Sequence, residues 1–198
     1  DVKPVYGTLR PVSTWNPIII NFKHLWQIVK DAWHADSLVD KIKIWFMPTG
    51  WRPEDVKLKM PLNEILDPNN QVKYRTDNSI LMIAWSWFQH VIAGLMMFHL
   101  FIIMDISNPS ILDYSYGFFI MLHIFSFTSI IDHSKYSILA ELFKFLIGIT
   151  LLYVQGNMWF GLDEIISFLI IIYFIISFIL SLKFYSEYVF QVKSIFRS

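Results

Sequence analysis

The chain has 198 residues, no cysteine, and sixteen basic against sixteen acidic side chains. That balance excludes disulfides, thiolate catalysis and cysteine-ligated metal, and it offers no basic field for nucleic acid. Hydrophobic residues make up 55% and the mean hydropathy is +0.47, above the apolar share of about 45–50% usual in a soluble globule.

Character changes near residue 78. Eleven of the sixteen Lys and Arg precede that point, and residues 79–182 are almost continuously apolar. The expected fold class is therefore an all-α membrane protein in three parts. Residues 1–78 form a cytosolic or interfacial segment with amphipathic helices, 79–182 a four-span transmembrane bundle, and 183–198 a cytosolic tail. The chain begins with Asp1 and shows no n-region, h-region and cleavage site, so it reads as the tail of something longer or as a processed product.

Taken in order, the first element is a helix over 16–34. Asn16 suits its N-cap and Pro17 its first turn. Ile18, Phe22, Leu25, Trp26, Val29 and Trp33 recur at helical spacing, with Asn21, Lys23, Gln27, Lys30 and Asp31 on the other side. A membrane interface and a protein core are equal readings of that pattern. A short helix over 37–46 follows, with Leu38, Ile42, Trp45 and Phe46 expected inward. It stops at Met47-Pro-Thr-Gly-Trp-Arg-Pro53, where two prolines and a glycine force a turn. Arg52 there suits a carboxylate, a phosphate or backbone carbonyls, and structural locking is its expected role. Residues 57–78 read as a polar connector.

Four apolar runs long enough to cross a bilayer core of about 30 Å come next. They cover Ser79 to Met104, Ile111 to Ile131, Ser137 to about Phe160, and Glu164 to Leu182. The third is interrupted by Glu141, Lys144, Gln155 and Asn157, and a re-entrant segment is its alternative. Lys and Arg are absent from the first and third inter-span loops, while Lys135 lies in the second and Lys183, Lys193 and Arg197 follow the fourth span. That asymmetry places both termini on the cytosolic side of a bacterial inner membrane or the endoplasmic reticulum.

Six histidines stand at 24, 34, 90, 99, 123 and 133, and none forms HxxxH, HxxHH or HExxH. No pair thus sits one helical turn apart to grip a metal. His90 and His123 lie about 17–18 Å into antiparallel spans by helical rise. Intramembrane ionisable groups are functional candidates by default. These two either meet near the midplane or each bond an oxygen of a neighbouring helix, and the second is the expectation. Glu141 and Lys144, spaced i, i+3, are expected to form a local pair with Lys144 snorkelling.

A resemblance adds to this reading. Val5-Tyr-Gly-Thr-Leu-Arg-Pro-Val-Ser-Thr-Trp-Asn-Pro17 resembles the segment after the last histidine box of alkylglycerol monooxygenase-like proteins. These belong to the fatty acid hydroxylase/sterol desaturase superfamily. Asn21-Phe-Lys-His-Leu-Trp26, the run from Asp40 through Trp45 to Gly50-Trp51-Arg52-Pro53, and Thr128-Ser-Ile-Ile-Asp132 continue it over most of the chain. Tyr6, Gly7, Pro11, Asn16, Pro17, Trp45, Gly50, Trp51, Arg52 and Pro53 carry the motif, as structural or active-site-rim positions.

The resemblance implies a multi-pass di-iron oxygenase that acts on lipids, with tetrahydrobiopterin as the further cofactor of the ether-cleaving branch. Its histidine boxes would precede Tyr6 and have no counterpart here. No catalytic, cofactor-binding or metal residue is therefore assigned, and the chain alone is expected to be inactive. The implied partners are membrane lipids and the catalytic part of the same protein. The rival reading is a non-catalytic multi-pass membrane protein, either a scaffold or a transporter subunit.

Overall fold

A computed structural model describes residues 11–62 and 73–195, with side chains as far as residue 190. Among the described residues the protein is all helical, in two compact units that divide between Arg75 and Thr76.

The first unit holds α1 (Pro17–His34), α2 (Leu38–Lys43) and α3 (Glu54–Lys59). Asn16 caps α1, its side-chain oxygen accepting from the backbone N–H of Ile18 and Ile19, and Pro17 follows at N1. The one buried residue of α1 is Asp31. By helical rotation of about 100° per residue, Asp31 lies opposite Phe22, Trp26, Val29 and Trp33. The apolar stripe therefore points away from the unit's interior, and Phe22, Trp26, Val29 and Trp33 are all exposed.

α2 buries no side chain of its own, and the inward residue is its C-cap, Ile44. Leu38, Ile42, Trp45 and Phe46 are exposed, against expectation. The helix ends at Lys43 and tightens into a turn, Phe46 N–H bonding the Lys43 carbonyl, so Trp45 and Phe46 lose their helical spacing to Leu38 and Ile42. The connector expected from residue 57 instead begins inside α3. Six residues are too few to show a period, but Pro53 before the helix and Glu54 and Asp55 in its first turn suit a helix start. Val56 is its fully buried residue.

The second unit holds α4 (Ile80–Ile103), α5 (Ile111–Ile131), α6 (Ser137–Val154) and α7 (Glu164–Ile195). All four are long and apolar enough to cross a membrane. Their starts follow the expected breaks. Ser79 accepts from Met82 N–H; Ser110 and Asp113 form a reciprocal capping box; Asp163 accepts from Ile166 N–H.

Two ends differ from expectation. α6 stops at Val154 rather than near Phe160, because Gly156 turns left-handed at φ +72° and closes a Schellman motif. Asn157 N–H bonds the Leu152 carbonyl and Gly156 N–H that of Tyr153. The residues beyond fold back and insert Trp159 into the bundle, where it is fully buried. Its indole donates to Tyr116 Oη at 3.1 Å, its backbone N–H to Ser167 Oγ at 2.8 Å, and Phe160 stacks on Tyr116 at 4.1 Å. At the other end, α7 runs through the segment expected as a tail and is helical to Ile195.

The core around Trp159 includes Met96 of α4, Phe119 and Ile120 of α5, Leu152 of α6 and Phe174 of α7. Gly148 allows the closest approach in it. A Cβ there would lie 2.5 Å from Phe174 Cε2 and 3.1 Å from Phe119 Cε2.

Candidate functional site

The bundle interior is not purely apolar. Glu141 and Lys144 of α6 are both completely buried, and Lys144 Nζ lies 2.6 Å from Glu141 Oε1. Expected to snorkel, Lys144 instead turns into the bundle, because acceptors from two other helices meet it there. Nζ donates to Ser177 Oγ of α7 at 2.7 Å and to Gln89 Oε1 of α4 at 3.3 Å. Glu141 Oε1 faces the ammonium as an ion pair and takes no hydrogen bond. The Tyr173 ring adds a cation–π face at 5.7 Å.

The other atoms of the cluster are tied in the same way. Ser126 of α5 donates to Glu141 Oε2. Ser177 donates to Gln89 Oε1 at 3.2 Å and Tyr173 Oη to the same oxygen at 3.4 Å. His123 Nε2 lies 3.0 Å from the Gln89 main-chain carbonyl. A carbonyl only accepts, so Nε2 carries the hydrogen and Nδ1 is bare. That Nδ1 is buried without a partner, facing the rings of Phe127 and Tyr173 at 5.6 and 6.0 Å between centroids.

All four long helices thus contribute. Gln89, His123 and Lys144 share a level about 10–14 Å from the end where α4 and α6 begin. Hydrocarbon cannot satisfy any of these groups, so they bond one another across helices and fix helix register.

His90 does not join the cluster. It is exposed, 5.8 Å from the Trp87 ring and 6.5 Å from that of Phe127. The meeting of His90 with His123 is not formed; His123 bonds the carbonyl of the residue before His90. One step along α4 turns the side chain by about 100°, which removes His90 from the interior.

In the first unit, Arg52 makes a bidentate pair with Asp31, Nε to Oδ2 at 2.6 Å and Nη2 to Oδ1 at 2.8 Å, and Nη2 also reaches the Met60 carbonyl at 3.0 Å. Both side chains are buried. Gly50, at φ +92°, makes the turn that brings Arg52 to α1, and Pro53 is buried behind it. Trp51 is half-buried, Trp45 is exposed, and the Pro11 carbonyl accepts from Lys23 Nζ at 2.8 Å. Tyr6 and Gly7 lie outside the described residues. At the start of α3, Asp55 Oδ2 accepts from Asp36 N–H at 2.8 Å. That bond holds the Asp55 carboxyl below its ordinary value of 3.8.

Sequence reasoning missed Asp31, which it assigned to the polar side of α1, and missed Gln89, Ser126, Tyr173 and Ser177 altogether. A signal for Gln89 existed, as an amide in the middle of an apolar run. The serines and the tyrosine carried none, being common within spans.

Among the described residues, no group of three or more His, Asp and Glu could hold a metal ion. The cluster does not fit the di-iron centre that the resemblance implies. Its one carboxylate is held by Lys144 and Ser126, and its histidine gives its hydrogen to a carbonyl.

Four membrane-length helices closed around a buried charged pair define a multi-pass, all-helical membrane protein. Over 56 residues the chain is 34% identical to the alkylglycerol monooxygenase of Homo sapiens, a distant relationship. That stretch covers 28% of this chain and 13% of the human protein, far less than the likeness expected over most of the chain. No protein-family model matches the sequence, and no solved structure matches it.

Proposed function

We propose that this chain is the membrane-anchoring C-terminal part of an alkylglycerol monooxygenase-like lipid oxygenase of the sterol desaturase superfamily. The observation that carries the reading is the 56-residue likeness to the human enzyme. The bundle agrees with it in kind, since an enzyme acting on lipids works beside the bilayer that holds its substrate.

In this reading the two irons, and tetrahydrobiopterin, are bound by sequence outside these 198 residues. The residues described here supply anchorage and a fixed helix register, and no reaction step is assigned to them. Both termini face the cytosol, and membrane lipids and the catalytic part of the same protein are the partners.

The coding DNA upstream of Asp1, followed by an assay of its whole product, tests the proposal. In-frame HxxxH and HxxHH boxes, with oxygen-dependent consumption of an alkylglycerol, are the expected result. A start codon directly before Asp1 would overturn it in favour of a non-catalytic scaffold or transporter subunit. The observation that favours this second reading is the Glu141–Lys144 pair, since intramembrane charges also mark transport pathways.

A further inference from the structure

The exposed face of α1 combines two properties. The stripe Phe22, Trp26, Val29 and Trp33 is turned away from the Asp31–Arg52 pair, and Trp33 is 79% exposed. Charge is sorted in the same way. Asp31 is the one acid of α1, and it is buried on Arg52. The exposed charges of the helix are therefore Lys23 and Lys30 alone. Both lie at one edge of the stripe, about 40–60° from Trp26 by helical rotation. Lys30 Nζ stands 5.8 Å from the Trp26 ring centroid.

We propose that this face of α1 docks in the plane of an anionic lipid surface, with Trp26 and Trp33 at headgroup depth and Lys23 and Lys30 on lipid phosphates. An apolar stripe flanked along one edge by two lysines matches such a surface in both hydrophobicity and charge. The chain also supplies the membrane itself, because α4 begins at Ile80 and holds the unit near a bilayer at high effective concentration. The inference stands on α1 alone and does not depend on the proposed oxygenase reading.

The absence of cysteine makes the test direct. Single cysteines at Trp26→Cys, Trp33→Cys, Glu54→Cys and Phe98→Cys in the full chain are spin-labelled and reconstituted into vesicles. Glu54 is a water reference on α3, and Phe98 a lipid reference on α4. One vesicle set is phosphatidylcholine with roughly a quarter phosphatidylglycerol, and the other is phosphatidylcholine alone.

In the anionic vesicles, the ratio of oxygen to nickel-chelate accessibility at 26 and 33 should exceed that at 54 by about threefold or more and approach that at 98. Lys23→Gln with Lys30→Gln should shift docking roughly 30-fold toward the aqueous state, from about 1 kcal/mol for each lysine near the surface. Labels at 26 and 33 that match Glu54→Cys in both vesicle sets would overturn the proposal. Low accessibility to both reagents would also overturn it, since the face would then be covered by protein. Equal insertion with and without phosphatidylglycerol would overturn the assignment to an anionic surface.

Discussion

Replacing Lys144 by methionine keeps the length of the side chain and removes the charge that Glu141 faces at 2.6 Å. Glu141 would then be a completely buried carboxylate with only the Ser126 hydroxyl as donor. Removing one partner of a buried pair costs about 3–5 kcal/mol in soluble proteins, and one charge at a span centre costs about 3 kcal/mol on insertion scales. The loss of the bonds to Ser177 and Gln89 adds to this, whereas an unfolded chain still in the membrane finds substitute partners, which subtracts. A net of about 3 kcal/mol is expected, a change in the folding equilibrium of more than about a hundredfold.

Reversible unfolding of the full chain in mixed micelles, titrated with a denaturing detergent, reads that loss directly. Adding Glu141→Gln to Lys144→Met should recover most of it, because an amide needs no counter-ion and can still accept from Ser126. Lys183→Met is the control. Its partner Glu187 lies 3.8 Å away with both side chains about half exposed, so the change should stay within about 1 kcal/mol. If Lys144→Met unfolds at the wild-type midpoint, the ammonium group does not sit in the bundle interior and the description of the cluster fails.

Three further perturbations probe other parts of the structure. Gly148→Ala should destabilise the bundle by about 1–3 kcal/mol in the same titration, because Phe174 is fully buried and has no room to yield; Gly94→Ala, which meets nothing within 4 Å, should be neutral or slightly stabilising. Arg52→Ala should strand Asp31 in the first unit and cost about 3–5 kcal/mol, seen as rapid proteolysis between α1 and α3. Arg52→Lys should recover only part of this, since an ammonium cannot form the two-pronged pair. The lowered Asp55 carboxyl contributes stability above its ordinary value of 3.8 that is lost as pH falls through the lowered one. The Asp36 amide, followed by NMR, should therefore titrate below pH 3.8, and a midpoint at or above it would remove the hydrogen bond from the account.

Local signals read directly from the sequence. Asn16-Pro17, Ser79, Ser110 and Asp163 mark helix starts because a cap is satisfied within a few residues of chain. The turn around Gly50 and Pro53 is legible for the same reason. What a face packs against is not local. The stripe on α1 has the same period whether protein, water or lipid covers it, and the charge that Asp31 pairs with on turning inward comes from Arg52, 21 residues away. Lys144 shows the same dependence. The i, i+3 spacing gave its pairing with Glu141, but acceptors 33 and 55 residues distant in sequence determine that it stays in the interior. The end of α6 lies between these cases: Gly156 is a local breaker, while the burial of Trp159 rests on Tyr116, 43 residues earlier.

The Glu141–Lys144 pair also bears on how the protein is made. Because both charges sit on one helix within a single turn, α6 can neutralise itself while still in the translocation channel, before any other helix has arrived. It would enter the bilayer as a dipole rather than as two ions, and so at lower cost. The remaining donors and acceptors are supplied only when Gln89, Ser126 and Ser177 reach the same level. A helix delivered one turn out of step would leave a charged group short of a partner in hydrocarbon. The same polar contacts that hold the finished bundle therefore disfavour assembly in any other register.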